Sequence, residues 1–232
     1  MRLKRPLLWS GLVAVLAVSA AIRGGGLHAS TLARGVLSEA AGSAMLTHDA
    51  ELAEGVEGQI RDLDGRTLTP FEPAGAASVI FFVATDCPIS NSYAPEIQRV
   101  CDEYGPRGVA CALMYEDVDT ASSGSRLDDE VRKHRQEYRY TGIPAAVDRS
   151  RAIAKQAKAS VTPQVVVIDR ARAIRYRGRI DNFYAALGKP RQQITERDLR
   201  NALDAVLAGR PVPKPETVAL GCHIVDPALL RK

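Results

Sequence analysis

The sequence predicts an α/β fold: a mixed central sheet flanked by helices, preceded by an N-terminal β-hairpin. Three observations predict it. From about residue 78 to residue 160, apolar runs of strand length alternate with segments of helical periodicity, the order that gives parallel strand pairing. Two later runs, 164–169 and 174–180, are separated only by the turn Arg170–Ala173, too short for a crossover, so they pair antiparallel. Asp64-Gly65 stands between two alternating segments, a strong hairpin signal.

The amino terminus is set aside first. Arg2, Lys4 and Arg5 precede an apolar stretch, Leu7 to Ile22, broken only by Ser10, Gly11 and Ser19, with Val18-Ser19-Ala20 as small residues for cleavage. Residues 1–22 read as a signal peptide, or as an uncleaved anchor that would give a membrane tether; the run is shorter than the roughly 20 residues a spanning helix prefers. The expected location is exported, periplasmic or extracytoplasmic. The chain carries 31 basic and 27 acidic residues, a net of +4. Cleavage after Ala20 removes three basic residues and leaves 28 against 27. The basicity thus belongs mostly to the leader. With no basic stripe interleaved with aromatics, no nucleic-acid partner is expected. Residues 23–50, with Gly24-Gly25-Gly26, read as a flexible linker, 51–210 as the folded domain, and 211–232 as a tail carrying Cys222.

Within the domain, Gln59 to Leu63 alternates into Asp64-Gly65 and out through Arg66 to Thr69. Ser78 to Ala84 is the central strand, rich in β-branched and aromatic residues. Ile89, Tyr93, Ile97, Val100 and Cys101 then fall at helical spacing up to Gly105, with Pro95 expected to kink the helix. Gly108 to Tyr115 is a second buried strand. A polar stretch, 119–129, leads into a charged helix through Tyr138, on which His134 reads as a surface residue. Ala145 to Asp148 is a brief strand or loop, and Ser150 to Ala159 a helix with its basic residues outward. Val161-Thr162-Pro163 introduces the strand Gln164 to Asp169, then comes Ile174 to Ile180. A helix over Thr195 to Leu207 has Thr195 as its expected cap. From Gly209 the chain reads as an irregular tail.

Four cysteines occur: Cys87, Cys101, Cys111 and Cys222. Cys87 stands at the corner between the central strand and a helix that begins at Pro88. A helix N-terminus stabilises the thiolate, the nucleophilic form, and Asp86 opposes that effect. Ser90, three residues on, cannot form a local disulfide. Cys101 lies on the same predicted helix, roughly 20 Å away at 1.5 Å per residue, out of reach of Cys87. Cys101 and Cys111 are expected to be small apolar core residues. Cys222, in a tail free to fold back across the corner, is the candidate resolving thiol. Cys222-His223 could ligate a metal, but no second Cys or His stands at ligand spacing, so neither metal nor cofactor is expected.

Four segments carry a family resemblance: Asp86-Cys87-Pro88-Ile89-Ser90-Asn91-Ser92-Tyr93-Ala94-Pro95-Glu96, Val161-Thr162-Pro163, Tyr176-Arg177-Gly178-Arg179-Ile180-Asp181 and Gly221-Cys222-His223-Ile224. Over roughly residues 56–224 the chain resembles the thioredoxin-like superfamily, and within it the exported redoxin branch related to alkyl hydroperoxide reductase and thiol-specific antioxidant domains. The resemblance implies a thioredoxin-like fold with Cys87 as the nucleophilic cysteine. It implies that Pro163 is a cis proline facing that sulfur, and that the backbone of Thr162 pairs with an incoming substrate chain. Pro88, Thr162 and Pro163 form the substrate-binding corner, and Asp181 with Arg177 and Arg179 gives polar support. The implied partners are protein or small-molecule thiols and disulfides, and peroxides. The departures are specific. Ser90 replaces the second cysteine of a dithiol motif. Ala84 and Ile80 stand where a peroxiredoxin has threonine and proline, with Thr85 one residue off register. Asn91 stands where a copper chaperone of the superfamily has its second cysteine. The expected function is an exported thiol–disulfide oxidoreductase with a single active-site cysteine. The alternatives are a peroxiredoxin-like thiol peroxidase, or a non-enzymatic metal or cofactor-delivery protein using Cys87, Cys222 and His223.

Overall fold

A computed structural model describes residues 58–118 and 124–229. The chain divides into two units, Met1–Ala50 and Glu51–Lys232, and every described residue belongs to the second. The predicted leader and linker, and residues 119–123 of the polar stretch, lie outside the described residues. Among the described residues no helix is long and apolar enough to cross a membrane.

The domain opens with β1 (Ile60–Arg61) and β2 (Thr67–Leu68), the predicted hairpin. Gly65 supplies the positive φ of its turn, and Asp62 Oδ1 accepts from the backbone N–H groups of Asp64 and Arg66. Next come β3 (Ala77–Val83), α1 (Pro88–Ser92), α2 (Ala94–Tyr104), β4 (Val109–Tyr115) and α3 (Gly124–Glu137). They are followed by β5 (Ala145–Val147), α4 (Ala152–Ala157), β6 (Val161–Thr162), β7 (Gln164–Asp169) and β8 (Ile174–Gly178). A second hairpin, β9 (Tyr184–Ala186) and β10 (Lys189–Pro190), precedes α5 (Asp198–Leu207) and the short β11 (Cys222–His223).

The main sheet has the order β5-β4-β3-β7-β8. β3 pairs parallel with β4, β4 parallel with β5, and β7 antiparallel with both β3 and β8. This is the mixed sheet read from the sequence. β3 is buried along its whole length, which explains its unbroken apolar run: a strand covered on both faces has no polar side. Val79, Phe81 and Val83 enter one core cluster, with Ile97 and Val100 of α2 and Leu199 and Leu203 of α5. Ile80 and Phe82 enter the opposite one, with Ile153 and Ala157 of α4. Burial of each such side chain contributes about 1.5–3 kcal/mol, so the sheet sets the position of whatever its strand ends carry.

Several local expectations are corrected. Helical periodicity after Cys87 is split between α1 and α2, with the break at Tyr93. Pro95 therefore sits in the first turn of α2, where its missing N–H costs nothing, and kinks no helix. α5 begins at Asp198 rather than Thr195, and Thr195 Oγ1 accepts from Asn182 Nδ2 instead of capping a helix. Arg151 does not face outward; it is 2% exposed. Cys101 and Cys111 are not free core residues but a disulfide, with Cα atoms 5.9 Å apart. α2 runs back alongside β4 through a turn completed by Gly108 at φ +86, and this brings its last turn onto the strand. Closing this loop, with its ends 10 residues apart, stabilises the fold by about 3 kcal/mol in the chain-entropy account.

Candidate active site

Cys87 is the N-cap of α1, with Pro88 at the start of the helix. β3 delivers it: the strand ends at Val83 and the corner Ala84-Thr85-Asp86 turns the chain. The Cys87 sulfur accepts from the Ser90 N–H at 3.4 Å, and its S–H donates to the Thr162 carbonyl oxygen at 3.0 Å. The side chain is fully buried, at 0% exposure. Ser90 Oγ, at the place of a dithiol motif's second sulfur, is buried without a hydrogen-bond partner among the described residues. Pro88 is exposed beside Cys87.

The Thr162–Pro163 peptide is cis. The Thr162 edge is occupied by the protein's own tail. β11 pairs antiparallel with β6, with Cys222 opposite Thr162 and His223 opposite Val161. A Cβ on Gly221 would lie 2.0 Å from the Thr162 oxygen, so only glycine permits this approach. Beyond it, Ile224 N–H donates to Ser160 O, Arg151 Nε donates to Val225 O, and Lys155 pairs with Asp226 at 3.1 Å. Upstream, Thr217 N–H donates to Arg177 O and Arg177 N–H to Pro215 O. The tail read as irregular is thus a strap with a defined register. It brings Cys222 to the site while Cys101 and Cys111 stay bonded to each other. Cys87 and Cys222 are both free thiols. Burial, then the hydrogen bond and charge of Cys87, then Asp86, push the Cys222 thiol up to about 12.

His134 is not a surface residue: it is 5% exposed. Asn91, one turn after Cys87, donates through Nδ2 to Thr85 O and so presents Oδ1 to His134 Nε2 at 2.8 Å. That fixes the proton on Nε2 and leaves Nδ1 to accept from the Tyr115 hydroxyl at 3.0 Å. Burial holds the imidazole below its ordinary pKa, in its neutral form. The sequence did carry a signal: Leu127, Val131, His134 and Tyr138 share one face at helical spacing.

Asp181 is buried and accepts from the Tyr93 hydroxyl and the Phe183 N–H, while Arg179 pairs with Glu196 and Asp198 and Arg177 with Glu216. Asp181 therefore holds α1–α2 junction residue Tyr93 to the segment after β8.

Next to the corner lies an acidic group that sequence reading did not single out. Asp117 Oδ1 accepts from the Thr85 N–H and hydroxyl. Glu116 has both carboxylate oxygens buried without a hydrogen-bond donor. Arg151 lies 3.4 Å from it but spends its N–H groups on the carbonyls of Val225, Asp148, Glu116 and Asp117. Burial, reinforced by Asp148, pushes the Glu116 carboxyl up to about 9 against the opposing pull of Arg151. Glu116, Asp117, Asp86, Thr162 and Cys222 all border one cavity of about 400 Å³. Among the described residues no group of three or more His, Cys, Asp or Glu has a metal-binding arrangement.

A cysteine capping the helix after the central strand, opposite a cis-proline corner on the antiparallel neighbour, defines a thioredoxin-like redoxin. The chain belongs to the AhpC/TSA family, whose model matches residues 49–177. Among solved structures it is similar to an uncharacterised conserved protein from Geobacillus kaustophilus, at 29% identity and TM-score 0.60, over 72% of this chain and 86% of that one. A hypothetical protein from Sinorhizobium meliloti 1021 matches at 27% identity and TM-score 0.60, over 72% and 88%. A secreted Mycobacterium tuberculosis disulfide oxidoreductase homologous to E. coli DsbE matches at 14% and 0.41, over 51% and 80%, a distance at which nothing about activity transfers. No curated protein matches the chain.

Proposed function

We propose that this protein is an exported thiol–disulfide oxidoreductase in which Cys87 attacks a disulfide and Cys222 resolves the product. The observation that carries this reading is that two free thiols are both placed against one residue, Thr162. Cys87 donates to Thr162 O, and Cys222 is the residue opposite Thr162 in the β6–β11 pair. Export is supported by the leader pattern over residues 1–22 and by the Cys101–Cys111 disulfide, a bond that persists in oxidising compartments.

The chemistry balances as follows. The Cys87 thiolate attacks one sulfur of a substrate disulfide; the substrate S–S bond breaks, and one substrate thiolate leaves and takes a proton. The Cys222 thiolate then attacks Cys87 Sγ, expelling the second substrate thiol and leaving a Cys87–Cys222 disulfide. The substrate gains two electrons and two protons, and the protein loses them. The Ser90 N–H already points at the Cys87 sulfur. A chain substrate would use Thr162, Pro163 and Pro88 as its docking corner, so it competes with the tail for the Thr162 edge. Peroxide is the poorer substrate, because the Thr85 hydroxyl is committed to Asp117.

The test is reduction of a protein disulfide, with peroxide consumption followed in parallel. Cys87→Ser is expected to abolish the disulfide reaction, because a hydroxyl cannot form a mixed disulfide, and Cys222→Ser to accumulate a mixed disulfide on Cys87. A Cys87→Ser protein that retains the wild-type rate contradicts the reading.

A further inference from the structure

Of the two cysteines, only one borders the cavity beside the pair. Cys222 borders it and is half-buried; Cys87 does not border it and has no exposed surface. The walls carry Asp86, Glu116, Asp117 and Glu130, with His223 at the edge, and no lysine or arginine among the described residues. Two of these acids have a cation beside them: Arg126 pairs with Glu130 at the exposed surface of α3, and Arg151 lies 3.4 Å from Glu116 with its N–H groups turned to backbone carbonyls. The Glu116 side chain is 0% exposed, and neither of its oxygens, nor Asp117 Oδ2, receives a hydrogen bond. Buried acceptors without donors are costly, and a ligand with N–H donors would satisfy them; the attraction for positive charge comes from Asp86 and Glu130, because burial pushes the Glu116 carboxyl up to about 9. The volume of about 400 Å³ suits a small molecule.

We propose that this cavity is the entry port for small aminothiols, which reduce the Cys87–Cys222 disulfide by attacking Cys222. The proposal rests on the oxidoreductase reading and supplies its reductive half. The aminothiol thiolate attacks Cys222 Sγ; a new S–S bond forms there, the Cys87–Cys222 bond breaks, and Cys87 leaves as a thiolate that takes a proton. A second aminothiol thiolate attacks the aminothiol sulfur of that mixed disulfide, and Cys222 leaves as a thiolate. A symmetrical disulfide departs and Cys222 is reprotonated. Two thiols are oxidised and one protein disulfide is reduced. The direction follows from access: Cys222 borders the cavity and Cys87 has no exposed surface, so Cys222 is attacked and Cys87 is the sulfur expelled.

The oxidised protein is mixed at low salt with cysteamine, 2-mercaptoethanol or 3-mercaptopropionate, which are cationic, neutral and anionic. Rates are divided by thiolate concentration, and samples are quenched in N-ethylmaleimide for peptide mapping. Cysteamine is expected to react about tenfold faster than the neutral thiol and the anionic thiol more slowly than either, with the spread closing at high salt. The mixed disulfide maps to Cys222 and the maleimide to Cys87. In an Asp86→Asn, Glu130→Gln double variant the cationic-to-neutral ratio falls towards one. Equal rates at low salt, or a mixed disulfide on Cys87, overturn the proposal while leaving the oxidoreductase reading intact. Failure of the disulfide to react with all three thiols overturns the proposal in the same way, and absence of a Cys87–Cys222 disulfide removes both.

Discussion

Gly221→Val is expected to lift the tail from the Thr162 edge and to raise the rate at which iodoacetamide alkylates Cys87 about a hundredfold. The added Cβ would meet the Thr162 carbonyl at 2.0 Å, far inside van der Waals contact with an atom that belongs to the backbone and cannot rotate away. What is lost is the β6–β11 pairing and the Ile224-to-Ser160 bond that continues it. At about 1 kcal/mol for each hydrogen bond, two to three lost bonds shift the open population by roughly two powers of ten. The five-stranded sheet contains no tail residue, so the far-UV spectrum and the cooperativity of unfolding are expected to stay as in the wild type. On the proposed competition between substrate chains and the tail, the variant should also form its first mixed disulfide faster and resolve it more slowly. Alkylation of Cys87 at the wild-type rate would contradict the strap.

Glu116→Gln is expected to stabilise the protein at alkaline pH and to change little near pH 4.5. The folded carboxyl titrates near 9, against an ordinary value of 4.5. Between those values the folded state holds a proton that the unfolded state has lost. Wild-type stability therefore falls as pH rises through this window, by at most about 1.4 kcal/mol per pH unit. Glutamine has the shape of the neutral acid and does not titrate, so this decline disappears. The gain should reach the order of 3 kcal/mol at pH 8. Arg151 does not reverse the sign, because its hydrogen bonds go to carbonyls that the substitution leaves in place. Urea midpoints from pH 5 to pH 9 give the check: the curves should diverge as pH rises. Parallel curves would mean that Glu116 is ionised in the folded state.

The sheet and its cysteine corner were legible because burial writes itself into composition. β3 is covered on both faces and reads as one apolar run, and the segment after it begins a helix at a proline. The Thr162-Pro163 corner was legible through family resemblance, and the pairing of β7 with β8 through the short turn between them. What stayed hidden depends on how elements are placed against one another. The Cys101–Cys111 bond needs α2 to lie back along β4, which periodicity does not state. The tail's docking rests on Gly221, whose contribution is the absence of a side chain and leaves no pattern to read. Arg151 was read as an outward-facing helix residue and Glu116 was not singled out, and only the packing of the strand end against the loop before α4 buries them. His134 was misread because a charged helix hid the one face on which it lies.

The central claim is that Cys87 and Cys222 form one redox pair. Its most direct test is non-reducing peptide mapping of the air-oxidised protein. The expected result is a Cys87 peptide linked to a Cys222 peptide, with Cys101 and Cys111 linked separately. Cys222 linked to Cys101, or Cys87 recovered as a free thiol after full oxidation, would contradict it.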